Sequence, residues 1–211
     1  MRVKPRLRGV LHEWAFYVVI PPGITVGLLA DTPLARVAAA VFAGGVACMF
    51  GISALYHRLN WSPNWRRWLR RADHAGIYLM IAASYTPFGL LVLSGAWRVT
   101  MLAIVWAGAG TAILARMFWA RPPRWLPVLV GGTLGWVGVI VFPQLLTKTG
   151  VIASVLMLAS GLCYTLGALV YARRRPDLFP SVFGYHELFH ALVVVAVAVQ
   201  YTVVAAFVIP T

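Results

Sequence analysis

Seven long apolar runs, separated by short polar or basic connections, account for most of this chain. None of them contains an Asp, Glu, Lys or Arg residue. A helix that crosses a bilayer needs about 20 apolar residues, with a range of roughly 17–25. The apolar positions are continuous and do not alternate with polar ones, as they would in membrane strands. The pattern therefore predicts an all-α integral membrane fold, a seven-transmembrane helix bundle. The predicted spans are Trp14–Ala30, Val37–Tyr56, Gly76–Leu93, Val99–Ala115, Trp125–Phe142, Val151–Ala172 and Leu188–Ile209.

The composition leaves little room for a soluble domain. The 211 residues are 61% hydrophobic and 11% charged, whereas a soluble domain has about 25% charged residues. We expect a single membrane domain over residues 1–211, with a short cytoplasmic tail over residues 1–13. The basic tail resembles the start of a signal peptide, but no A-x-A-like cleavage site follows and further apolar runs do. These features predict a multi-pass protein of the inner (plasma) membrane, with membrane lipids as its partners.

The basic residues predict the orientation of the bundle. In a soluble protein the net charge of +13 would favour nucleic-acid binding. Here the charges form short clusters between apolar runs, so no nucleic-acid partner is expected. Seven spans place 15 of the 18 Lys and Arg residues on one side. The positive-inside rule makes that side cytoplasmic, so the N-terminus is predicted inside and the C-terminus outside. The 15 are Arg2, Lys4, Arg6, Arg8, Arg58, Arg66, Arg67, Arg70, Arg71, Arg116, Arg121, Arg124, Arg173, Arg174 and Arg175.

The acids and histidines converge on the same side. Of the ten in the chain, only Asp31 falls on the far side. Ionisable groups at membrane depth are costly and usually face the bundle interior or a wet cavity. The sequence therefore indicates a polar site at the cytoplasmic end of the bundle. The converging residues are His12, Glu13, His57, Asp73, His74, Asp177, His186, Glu187 and His190.

Three of these histidines have the spacing of metal ligands. His186 and His190 are four residues apart and share one helical face, as do Ser53 and His57. Three imidazoles can hold a tetrahedral Zn²⁺ and leave one position for water, although imidazole also suits iron, nickel and copper. Asp73 could orient that water or receive its proton, and Ser53 could assist it, which is a hydrolytic arrangement.

Other interpretations of the polar residues stay open. His12 and His74 are read as interfacial polar residues, and Glu13 as a structural partner of a hydroxyl or a positive group. The carboxylate of Asp73 could instead pair with an arginine of RRWLRR, and Ser53 could be a helix–helix hydrogen-bond donor.

The segment HELFH (His186–His190) also fits H-E-x-x-H, the helical zinc signature of metalloproteases. That function needs Glu187 as general base and a third ligand. No His, Asp, Glu or Cys follows His190, so the third ligand would have to come from His57 or Asp73, far upstream. The intramembrane protease is therefore an alternative to the hydrolase.

Three motifs together resemble the hemolysin III family, the bacterial branch of the progestin and adipoQ receptor membrane proteins. They are SALYH (Ser53–His57), RADHAGIYLMIAASYTPF (Arg71–Phe88) and HELFH. The resemblance implies zinc on His57, His186 and His190 near the cytoplasmic face, with Asp73 contacting the metal through water. The related alkaline ceramidases use a similar arrangement to hydrolyse a lipid amide.

The leading hypothesis is thus a zinc-dependent, lipid-directed hydrolase, a ceramidase-like amidase or esterase whose substrate enters from the bilayer. The alternatives are a non-catalytic regulator of membrane lipid composition or fluidity with structural zinc, a cytolytic protein as the family name suggests, and the intramembrane protease.

Overall fold

The computed structural model describes residues 5–119 and 126–210, which are almost entirely helical. The described residues contain no β-strand, only an isolated bridge between Phe179 and Phe183. The predicted all-helical architecture is confirmed. The helices are α1 (Val10–Leu29), α2 (Pro33–Arg58), α3 (Pro63–Pro87), α4 (Ala96–Phe118), α5 (Leu126–Trp136), α6 (Phe142–Arg173) and α7 (Tyr185–Val203). Short π-helical segments continue α3 over Phe88–Val92 and α7 over Val204–Val208, and a short 3₁₀-helix continues α5 over Val137–Val141.

Within the described ranges, five helical segments are long and apolar enough to cross a membrane. Their outward faces carry large apolar side chains, such as Val99 and Phe118, that are 69% and 75% exposed. Apolar exposure of this extent suits a lipid environment and not water. The segments are Pro33–Arg58, Pro63–Val92, Ala96–Phe118, Val128–Arg173 and Tyr185–Val208.

The longest of these segments reverses direction at Gly150. Its backbone there has φ 81° and ψ 175°, far from helical values. The Trp136 indole nitrogen donates to the Thr165 hydroxyl across 2.9 Å, whereas 29 residues of one continuous helix would separate them by about 43 Å. Residues 126–149 and 151–173 therefore form an antiparallel hairpin, which coincides with the fifth and sixth predicted spans.

The helix starts carry recognisable local signals. The Thr32 hydroxyl caps α2 by accepting from the Ala35 amide across 3.1 Å, and Pro33 occupies the first turn. In the same way Pro63 opens α3, so this helix begins 13 residues before its predicted span and includes the basic stretch RRWLRR. An apolar pattern cannot detect such a basic extension, because its side chains face water.

The core lies where α2 packs between α1 and α3 and where α7 packs on α6 and α1. Fully buried side chains of α2, such as Phe42 and Phe50, fill its centre. The α2–α3 approach is close because Gly45 lacks a Cβ, which would lie 2.3 Å from the Cβ of Ala83. Small residues at such contacts let membrane helices approach each other. The contact between Gly45 and Ala83 therefore allows α3 to pack closely along α2.

Part of the predicted organisation falls outside the described residues. This applies to the first four residues of the tail, with Arg2 and Lys4, to Arg121 and Arg124, and to the start of the fifth predicted span at Trp125.

Candidate metal centre

The last turn of α2 and the first turns of α7 bring three imidazoles together. His57 lies in the last turn of α2, and His186 and His190 lie on one face of α7. Ligand nitrogens of all three lie within 4.8 Å of one another, and each residue is at most 9% exposed. The structure thus joins the three histidines that the sequence predicted as ligands into one cluster that can hold a metal ion.

The distance between the nitrogens of His57 and His186 fits a shared ion. Zinc–nitrogen bonds of about 2.0–2.1 Å in tetrahedral geometry place two ligand nitrogens about 3.3–3.4 Å apart. The Nε2 atoms of His57 and His186 are 3.3 Å apart. Buried imidazoles with no acid among their ligand atoms suit a borderline transition metal such as zinc better than calcium or magnesium.

A carboxylate and a hydroxyl stand beside this cluster. The Asp73 carboxylate, on α3, is 3.8 Å from Nε2 of His57 and 14% exposed. The Ser53 hydroxyl, one turn before His57, lies beside the Asp73 carboxylate. The five residues predicted for the site therefore lie together, with the carboxylate next to the three nitrogens and not among them.

His12 of α1 also belongs to this site, although the sequence suggested only an interfacial residue. It is 3% exposed, and its Nδ1 is hydrogen bonded to the Ser53 hydroxyl across 2.9 Å. Its ring stacks on that of His190, with centroids 3.7 Å apart and planes 3° from parallel. Because a carboxylate only accepts, a Ser53 hydroxyl that donates to Asp73 can accept from His12 at the same time. In the sequence, the only sign that His12 belongs to the site is its position at the cytoplasmic start of the first predicted span.

The N-terminal segment reaches the site through Gly9. This residue has φ +81°, and a Cβ there would lie 2.5 Å from the Cβ of His57. The left-handed region strongly favours glycine. Glycine therefore allows the chain to cross the end of α2 and start α1 with His12 facing inward.

Glu187, the acid of HELFH, points to structural partners. It is 1% exposed. One carboxylate oxygen accepts from the Gly184 amide across 2.9 Å and caps α7, and the other pairs with the guanidinium of Arg8. Because both oxygens are engaged, Glu187 is poorly placed to be the general base that the protease alternative requires.

The remaining polar residues lie at the edge of the site. Glu13 pairs with Arg58 across 2.7 Å, as expected of a structural partner. His74 is bonded through Nδ1 to the Arg70 carbonyl across 2.7 Å, and it is not part of the three-histidine cluster.

Several known proteins are similar to this chain over much of its length. Residues 1–201 match the sequence model of the family described as haemolysin-III related. Hemolysin-3 of Bacillus cereus is 29% identical over 180 residues, which is 85% of this chain and 79% of that protein. Progestin and adipoQ receptor-like protein 1 of Caenorhabditis elegans is 31% identical, covering 76% of this chain and 41% of the receptor. The adiponectin receptor protein of Drosophila melanogaster is 28% identical, covering 89% and 45%.

This chain spans less than half the length of those two animal receptors. With its apolar helices and its match over nearly the whole length, it belongs to the haemolysin III–related family, multi-pass membrane proteins akin to the progestin and adipoQ receptors.

Proposed function

We propose that this protein is a zinc-dependent hydrolase of membrane lipids, an amidase or esterase whose site opens toward the cytoplasmic leaflet. The observation that carries the proposal is the constellation of three buried imidazoles with a separate carboxylate, Asp73, 3.8 Å from one of them. A tetrahedral ion on three protein ligands leaves its fourth position to water or substrate. Bound zinc would polarise an acyl carbonyl and acidify water.

The side chains of the site would have separate roles in the reaction. His57, His186 and His190 would hold the ion. In the hydrolysis, water adds across an acyl C–N or C–O bond and yields a carboxylic acid and an amine or alcohol. Asp73 would accept the proton of the attacking water and return it to the leaving nitrogen or oxygen. The Ser53 hydroxyl would hold that carboxylate in position.

A seven-span bundle with a cytoplasmic N-terminus is part of the proposal. Two features support the count beyond the five long segments. The 20 residues of α1 give a helix of about 30 Å, the thickness of the hydrocarbon core, and the hairpin at Gly150 makes two passes of one segment. The excess of basic residues beside the histidine cluster supports its cytoplasmic position.

Metal content and lipid turnover test the proposal together. Detergent-purified protein is expected to carry about one zinc per chain by mass spectrometry, and His57→Ala and His190→Ala to lose it. His74→Ala, a histidine of the same region outside the cluster, should keep it. Asp73→Asn should also keep the metal but lose turnover of a lipid panel by about 10²–10⁴-fold. Metal-loaded protein with no turnover on any acyl lipid would refute the hydrolase.

A structural metal is the second candidate. The cluster joins the ends of α2 and α7, and Asp73 adds α3, so an ion there would hold three helices together. In that case the protein would regulate membrane lipid composition or fluidity without catalysis. A deletion strain with altered membrane fluidity, complemented equally by wild type and Asp73→Asn, would favour it. Cytolytic activity is suggested only by the name of the Bacillus relative, and dye release from liposomes tests it.

A further inference from the structure

A basic pocket of about 330 Å³ lies at the corner between α2 and α3. Tyr56 and Pro63 form its apolar part, and the side chains of Arg66, Arg67 and Arg70 complete its lining. No acid lines it, so the pocket presents three positive charges and a phenol hydroxyl to any ligand.

These charges are not neutralised within the described part of the protein. None of its ion pairs involves Arg66, Arg67 or Arg70, and all three residues are exposed. The Arg67 guanidinium donates to the side-chain oxygen of Asn64, which is neutral, and the neighbouring Arg71 donates to the Met117 carbonyl across 2.9 Å and lies over the Trp68 ring. The three pocket arginines therefore have no anionic partner among the described residues and can attract an external anion.

Flanking tryptophans place the pocket at the membrane surface. Trp65 and Trp68, on the same turns of α3, are 62% and 47% exposed. Exposed tryptophans of membrane proteins concentrate at the level of the lipid headgroups. The anions at that level are phosphates, and guanidinium forks bind phosphate oxygens in bidentate fashion.

Two of the pocket arginines share a face of α3 with Asp73, the acid beside the candidate metal centre. Arg66, Arg70 and Asp73 follow one another at positions i, i+4 and i+7, which is one face of α3. At 1.5 Å per residue, Arg70 lies about 4.5 Å and Arg66 about 10 Å along the axis from Asp73. On the other wall, the ring of Tyr56 is 4.6 Å from that of His57.

We propose that this pocket binds the phosphate of an anionic glycerophospholipid and that such lipids are the substrate class of the site. With the phosphate between the arginines, the ester bonds of the glycerol, a few bonds away, face Asp73 and the histidines. The substrate assignment rests on the proposed hydrolase, but headgroup binding does not.

Lipid titration of purified, delipidated protein tests the pocket. Native mass spectrometry would compare phosphatidylglycerol with phosphatidylcholine, and inorganic phosphate would be added as a competitor. The test variant is Arg66→Gln/Arg67→Gln/Arg70→Gln. The matched control, Arg173→Gln/Arg174→Gln/Arg175→Gln, removes the same charge from an exposed stretch elsewhere on the predicted cytoplasmic side.

Wild type should prefer phosphatidylglycerol, and the pocket variant should lose roughly 100-fold in affinity, since each arginine near an anionic headgroup contributes about fivefold. The control and Asp73→Asn should bind as wild type does. The same three positions changed to Lys should retain part of the affinity, because charge remains but the fork is lost.

Three results would overturn the proposal: no preference in the wild type, an equal loss in the control, or displacement by millimolar inorganic phosphate, which would identify a soluble phosphate ligand. If the protein prefers phosphatidylglycerol but does not hydrolyse it, the headgroup site is supported and the assignment of such lipids as substrates is refuted.

Discussion

Removal of the His12 imidazole is expected to weaken metal binding although His12 is not among the three proposed ligands. Its ring stacks on His190 at 3.7 Å and its Nδ1 is bonded to Ser53 at 2.9 Å. We therefore expect His12 to orient the proposed ligand His190 directly, and Asp73 through the serine. Groups that orient metal ligands in this way typically affect metal affinity or activity by about 10–100-fold.

The magnitude follows from the two contacts. A net hydrogen bond contributes about 1 kcal/mol, and an aromatic pair about 0.5–1.5 kcal/mol. If both stabilise the metal-binding geometry, His12→Ala should raise the metal Kd by about 10–60-fold. His12→Phe keeps the ring but not the hydrogen bond, so about fivefold is expected.

Competition with a chromophoric chelator on detergent-purified protein measures these values. His74→Ala is the matched control, because His74 is bonded to the Arg70 carbonyl and lies outside the cluster. The reasoning fails if His12→Ala binds metal within twofold of wild type, if Phe and Ala are equally damaging, or if His74→Ala has the same effect.

Three further outcomes are expected. Gly9→Ala should lower the free energy of unfolding by at least about 1–2 kcal/mol, because alanine is strained in the left-handed backbone conformation. Gly44→Ala should not lower it, since a Cβ at Gly44 on α2 meets open space. Thermal denaturation in detergent compares the two variants. Glu187→Gln should reduce stability by about 1–3 kcal/mol by breaking the pair with Arg8 but leave lipid turnover within about threefold. A complete loss of lipid turnover in a folded variant would contradict the structural role of Glu187. In a cysteine-free background, Lys148→Cys, beside the hairpin turn, should react with a membrane-impermeant maleimide added outside intact cells, and labelling only after lysis would contradict the seven-span topology.

The helical fold and the clustering of the five candidate site residues could be predicted from the sequence because both depend on simple periodicities. Apolar runs of bilayer length indicate helices, and a spacing of four puts His186 and His190 on one face. The predicted topology then places His57 at the same membrane depth as these two histidines. None of these inferences needs a side-chain orientation, which is why they are available from the sequence.

The contributions of His12 and Glu187 could not be predicted in this way. Whether a histidine at a helix start faces the interface or the interior depends on the path of the preceding chain, and that path turns on the backbone of Gly9. Glu187 lies between two candidate ligands in HELFH, yet its partners, the Gly184 amide and Arg8, come from the helix cap and a distant segment. Long-range partners of this kind leave no local pattern.

The position of Asp73 bears on the choice between a catalytic and a structural metal. Structural zinc sites are closed by four protein ligands, whereas catalytic sites keep a position open. The Asp73 carboxylate is 3.8 Å from Nε2 of His57 but is not among the three clustered ligand groups, and Ser53, bonded to His12, lies beside it. An acid that lies beside three clustered imidazoles and not among them leaves a fourth position open and suits proton transfer to and from water. The arrangement of α1, α2 and α3 around this acid therefore favours catalysis, and Asp73→Asn, which removes the charge while preserving the shape, is the variant that separates the two roles.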